Sequence, residues 1–186
     1  MMKYLQLTAI LLVLTFAAGT LFSPTPAGAA SAAEIDRDAR NALEKLYAKS
    51  ASAKTMGEKA AGILVFPKII KGGFMVGGKI GEGALLKGGK TAGYYNAIQV
   101  SYGLQAGLQT YGYVLFFMTD KAMAWLDKSD GWEIGVGPTI VVVEIGAASS
   151  TSTTTAQAEI YAFFFNQKGL MGGLGLQGTK ITKIKK

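Results

Sequence analysis

The sequence predicts an α+β fold: an N-terminal amphipathic helix, then a strongly curved or closed, mainly antiparallel sheet of about eight strands with one short intervening helix. Three observations predict it. Apolar residues recur at spacings of three and four between Ser31 and Met56; from Gly62 the chain breaks into short apolar pieces separated by glycine; and Ile98 to Gln109 alternates apolar positions with glutamine, serine or glycine. With 49% hydrophobic residues in 186, the chain suffices for one globular core.

Residues 1–29 read as a signal peptide: Lys3, a long uncharged run to Phe22, then small residues at Ala27 and Ala29. The mature chain is then expected to start at Ala30 or Ala33. A retained anchor is the competing reading, against which the run is broken by Gln6, Thr8, Thr15 and Gly19. Residues 30–57 form the helix. Ser31 and Glu34 fit a capping box, and Ile35, Ala39, Ala42, Leu43, Leu46, Tyr47 and Ala53 form one stripe, to be packed on the domain or laid on a membrane.

Residues 58–186 form the β-rich domain with a basic C-terminal tail. GILVF, GGFMVGG and GEGALLKGG read as strands with tight turns, and Ile98–Gln109 as one long half-buried strand bent at Gly103 or Gly107. YGYVLFFMT continues as the next strand. A short helix follows, with Asp120 as N-cap and Ala122, Trp125 and Leu126 inward. WEIGVG, TIVVVEIG, AQAEIYAFFF and GLMGGLGLQG complete the strands, with the Ser/Thr run 149–155 as a loop. An outer-membrane barrel is disfavoured, because TIVVVEIG and IYAFFF are apolar on both faces and the chain ends in Lys185-Lys186.

ALLKGGKT, residues 84–91, outlines a phosphate-binding loop, but position 84 is alanine and a strand-like run, not a helix, follows Thr91. GLGLQG at 173–178 has no room for a βαβ unit after it. With neither histidine nor cysteine, the chain lacks the usual general base, thiol nucleophile and soft metal ligands, so it reads as no enzyme, with no cofactor and no metal site. Glu144 and Glu159 offer a carboxylate pair in principle, and each equally suits a solvent-facing position. The net charge is +7, and the aromatics are not interleaved with lysines as stacking platforms for nucleic acid would be.

The ordered motifs AAGILVFPKIIKGGFMVGGKIGEGALL, YGLQAGLQ, the helix at 122–126 and IYAFFFNQKGLMGGLGLQG together resemble the SYLF domain family over roughly Lys54 to Ile181. Gly93-Tyr94-Tyr95-Asn96 stands where many relatives carry Trp-Ser and a nearby proline. The resemblance implies a non-enzymatic lipid-binding domain, since eukaryotic members associate with phosphoinositide-bearing membranes and some with actin. In an exported bacterial branch the natural partner becomes another anionic phospholipid at the envelope.

Between Lys54 and Lys90 lie seven lysines against Glu58 and Glu82. Lys68, Lys71, Lys79, Lys87 and Lys90 are therefore the expected lipid-binding residues, with Lys180, Lys183, Lys185 and Lys186 as a secondary basic tail. The same lysines would also serve to keep strand edges soluble. Two other functions stay open: a structural or protein-interaction module of the envelope, and a small barrel enclosing an apolar ligand behind Val141–Val143 and Phe163–Phe165. The failed loop motif gives the first expectation in solution. The purified chain binds neither ATP nor GTP in calorimetry, and saturable binding abolished by Lys90→Ala would reverse that conclusion.

Overall fold

The computed structural model describes residues 30–102, 107–143, 158–169 and 175–186. The signal-peptide segment 1–29, Gly103, Glu144 and the Ser/Thr run 149–155 lie outside the described residues.

Helix α1 (Ala32–Lys49) starts at the expected capping box: the Glu34 N–H donates to Ser31 Oγ at 3.3 Å, and the Ser31 N–H donates to the Glu34 carboxylate at 2.8 Å. The stripe does not continue as one helix. Ser50 adopts extended backbone and its hydroxyl accepts from the Ala53 N–H at 3.2 Å, capping a second helix, α2 (Ala51–Lys59). Ile35, Ala39, Ala42, Leu43 and Leu46 are buried against the sheet, so the stripe is a core face.

The sheet is built on β1 (Gly62–Phe74), β2 (Val76–Lys87), β3 (Lys90–Tyr102) and β4 (Gly107–Phe117). Helix α3 (Asp120–Met123) and a 3-10 turn (Ala124–Asp127) follow, then β5 (Trp132–Glu133), β6 (Ile140–Val143), β7 (Ile160–Gly169) and β8 (Lys180–Ile184). Strand order is β5-β8-β3-β2-β1-β4-β7-β6, antiparallel throughout except for the parallel β6–β7 pair. The sheet curls into a half-barrel. Rings of Phe117 on β4 and Trp132 on β5 lie 6.0 Å apart although five steps separate the strands in the sheet order, a span of roughly 24 Å if flat.

Four details differ from the sequence reading. The glycine-flanked pieces before Lys87 merge into two long strands: β1 runs through Pro67, whose missing N–H falls in the register shift between Val65 and Lys68. The alternating stretch Ile98–Gln109 is two strands, because β3 pairs with β2 while β4 crosses to β1. Thr119, not Asp120, caps α3, its hydroxyl accepting from the Ala122 N–H at 3.1 Å. Finally, Gly175–Gly178 forms a turn, and the expected basic tail supplies β8, seated between β3 and β5.

Side chains alternate between two cores. The inner, concave face gathers Leu64, Phe66, Tyr95, Tyr113, Phe117 and Phe164 under Leu126 and Trp132. The outer face buries Val65, Ala84, Leu86, Val114, Phe116 and Phe163 beneath α1 and α2. The phenylalanine run of β7 is thus core on both faces. Leu46 is 1% exposed in the outer layer. Leu46→Ala is expected to destabilise the domain by about 2–5 kcal/mol in chemical denaturation, while Lys45→Ala on the solvent side changes it by less than about 0.5 kcal/mol.

Candidate functional site: the bare end of the outer sheet face

ALLKGGKT forms the β2–β3 hairpin. Lys87 and Lys90 pair across it, and Gly88 and Gly89 both take positive φ, 53° and 76°, as a type I′ turn needs. The turn is tied to α1: Arg40 donates to the Gly89 carbonyl at 2.8 Å, and Thr91 donates to Asp36 at 2.8 Å. Tyr94 donates to the other Asp36 oxygen at 3.0 Å. The stretch is an anchor between hairpin and helix.

The five lysines singled out by sequence do not share a face. Lys87 and Lys90 sit at the helix end of the sheet, eight residues and roughly 25 Å along β2 from Lys79. Lys68 pairs with Glu82 on the outer face, whereas Lys71 and Lys79 face each other across β1–β2 on the inner face. Of the tail lysines, Lys186 bonds Glu82 at 2.9 Å and the Ala30 carbonyl at 2.9 Å, and Lys183 lies 3.9 Å from Asp127. Lys180 joins the site described next.

Among the described residues, no helix lies over the outer face beyond Glu82. The register carries one continuous row across six strands: Lys168, Thr110, Ile70, Ile80, Ile98 and Lys180. The next row toward the β1–β2 reversal is Leu108, Gly72, Gly78 and Val100, and the last is Phe74 and Val76 with Met75 between them. These apolar side chains are exposed: 55% for Ile80, 63% for Val100 and Leu108, and 76% for Phe74. A large apolar face bare of partners is uncommon on a soluble domain. The first row ends at Glu133 on β5, opposite Lys180, and among the described residues of the other strands no carboxylate lies closer to the reversal than Glu82.

Alternation had suggested that Ile98, Val100 and Leu108 point into the core. The phase is the opposite. Gln109 is 5% exposed on the inner face while its neighbour Leu108 stands in solvent. The sequence signal that marks this was present in the glutamines: Gln99 and Gln109 flank Lys79 and Lys71 in an inner polar row. Gln99 donates to the Gln177 carbonyl at 2.9 Å, and Lys79 to the Gly175 carbonyl at 2.5 Å, so the 175–179 turn covers this row.

Electrostatics at this end follow from burial. Burial, and secondarily the like charge of Lys71, lower the Lys79 ammonium to about 8. Desolvation pushes the Tyr111 hydroxyl up to about 12, and burial raises Tyr113 well above its usual range. Near the helix end a cleft of about 370 Å³ lies between α1, α2 and the β2–β3 turn, but its charges mix Arg40 with Glu44 and Glu58. Among the described residues no group of three acidic side chains gathers to hold a metal ion, and no helix is long and apolar enough to cross a membrane.

Residues 98–186 match the family model Ysc84, described as a Las17-binding protein actin regulator. No curated protein matches the chain. The match covers β3 from Ile98 onward, including Lys168 and Lys180; the β1–β2 hairpin precedes it.

Lys79 gives a pH signature with a definite sign. Its folded value, about 8, lies below the ordinary 10.5, so between these pH values the unfolded chain holds a proton that the folded one has released. Stability therefore rises with pH through that window, and is lowest, for this group, below pH 8. Tyr95 and Tyr111, raised from 10.0 to about 12, act oppositely and lose stability above pH 10. Urea midpoints should climb from pH 8 to about 10 and then fall. In Lys79→Met the climb flattens and the pH 7 midpoint increases; an unchanged slope would show that Lys79 is solvated.

Proposed function

We propose that this chain, a member of the SYLF family over residues 98–186, binds anionic phospholipid at an envelope membrane without catalysing a reaction. The observation that carries the reading is the bare end of the outer face, where exposed apolar rows are bordered by Lys68, Lys168 and Lys180, with Glu133 opposite Lys180 at the sheet edge. An anionic bilayer offers both complements at once, phosphates for the ammoniums and hydrocarbon for the apolar side chains. The absence of histidine and cysteine fits a binding role, and a leader at 1–29 would place the encounter outside the cytoplasm, away from actin.

The lysines set the scale. Each near an anionic surface contributes about 1 kcal/mol, so Lys68, Lys168 and Lys180 together account for roughly 3 kcal/mol, on the order of a hundredfold in partitioning. Salt shortens the Debye length from about 10 Å at 0.1 M to about 3 Å at 1 M and should weaken the association strongly. In vesicle flotation the protein is expected to follow phosphatidylglycerol or cardiolipin vesicles at low salt and to leave phosphatidylcholine vesicles unbound. Glutamate at Lys68, Lys168 and Lys180 should cost far more than glutamate at the exposed Lys45, Lys49 and Lys121. Equal losses would reduce the effect to net charge and remove this surface as the site.

A further inference from the structure

We infer that the β1–β2 reversal is a membrane wedge: the strands stand steeply on the bilayer, Phe74, Met75 and Val76 enter the boundary between headgroups and acyl chains, and Lys168 and Lys180 stay at phosphate height. The inference rests on the lipid-binding reading and adds orientation and depth to it.

Composition gives the first argument. From Gly72 to Gly78 the only side chains are Phe74, Met75 and Val76, so nothing polar beyond the backbone must be dehydrated on entry. The backbone is already largely paired, since Phe74 and Val76 are register partners with a single residue between them. The wedge is also thin. A Cβ on Gly73 would lie 2.3 Å from the Gly77 Cα, an approach only glycine permits.

Strain gives the second. Met75 holds φ 64°, a left-handed conformation that glycine or asparagine adopts at lower cost, yet an apolar side chain stands there, 60% exposed. A solvent-facing turn has no use for methionine at such a position. A lipid-facing one does.

Geometry gives the third. The row holding Lys168 and Lys180 is four residues from Phe74, which at strand spacing is roughly 13 Å. Interfacial elements bury their apolar face about 5–10 Å deep, so these ammoniums fall near the phosphates when the tip is immersed.

The chain has no cysteine, so Phe74→Cys carries a polarity-sensitive nitrobenzoxadiazole label at one place only. On phosphatidylglycerol vesicles its emission is expected to rise several-fold and shift to the blue, and to be quenched by lipids bearing nitroxide on the upper acyl chain. The same label at Lys45→Cys stays unchanged. Phe74→Asp with Met75→Asp should lower vesicle affinity at least tenfold at an unchanged thermal midpoint, since both positions are exposed in the folded domain. Three results would overturn the inference. Flotation with a dark, unquenched label leaves lipid binding intact but removes the wedge. Failure to float on any anionic vesicle removes both. A label that brightens without lipid as protein concentration rises, with a dimer in sedimentation, assigns the tip to a second copy.

Discussion

The packing of α1 on Val65, Ala84, Val114 and Phe116 decides the rest of the molecule, because it covers one end of the outer sheet face and stops. An 18-residue helix spans about 27 Å and crosses strands that run for about 40 Å, so length alone leaves part of the face without a partner. Which part is fixed by the Asp36 contacts to Thr91 and Tyr94 and by the Arg40 contact to Gly89, which hold the helix at the β2–β3 turn. The opposite end, at the β1–β2 reversal, is the end that the described helices leave bare.

The inner face is covered more fully by the described residues. Curling brings Trp132 and Phe117 together, the 3-10 turn adds Leu126, and the 175–179 turn lays Leu176 over the open end. The concave side is therefore filled with side chains, and polar groups on it, Lys79 and Gln109 among them, are enclosed. The two faces of the same four strands thus differ in kind: the inner one encloses polar residues, and the outer one exposes apolar ones. Inverted alternation of this sort is costly in water and is expected where the exposed face meets something other than water.

Charge follows the same division. Glu82 marks the boundary between the two ends and pairs with Lys186; the rows beyond it are bordered by Lys168 and Lys180, with Glu133 opposite Lys180 at the edge. Lys87 and Lys90 belong to the other end, on either side of the Gly88-Gly89 turn that Arg40 of α1 holds, which separates the lysine segment read from sequence into groups with different surroundings.

The sequence by itself determined the elements that local chemistry dictates: the Ser31–Glu34 box that starts α1, the apolar stripe along that helix, the strand rather than a helix after Thr91, and the α+β class with a curved sheet. Each depends on residues within a few positions of one another. Tertiary structure alone decided which lysines are neighbours and which side of β3 and β4 meets water. A period of two fixes that Ile98, Val100 and Leu108 share a face or its continuation, but not which face, and that choice was made by a helix more than forty residues earlier and a turn near the chain's end. The lysine row shows the same limit: Lys168 and Lys180 join Ile70, Ile80 and Ile98 only because β7 and β8 flank the central strands on either side, a juxtaposition of residues up to 110 positions apart that no local pattern encodes.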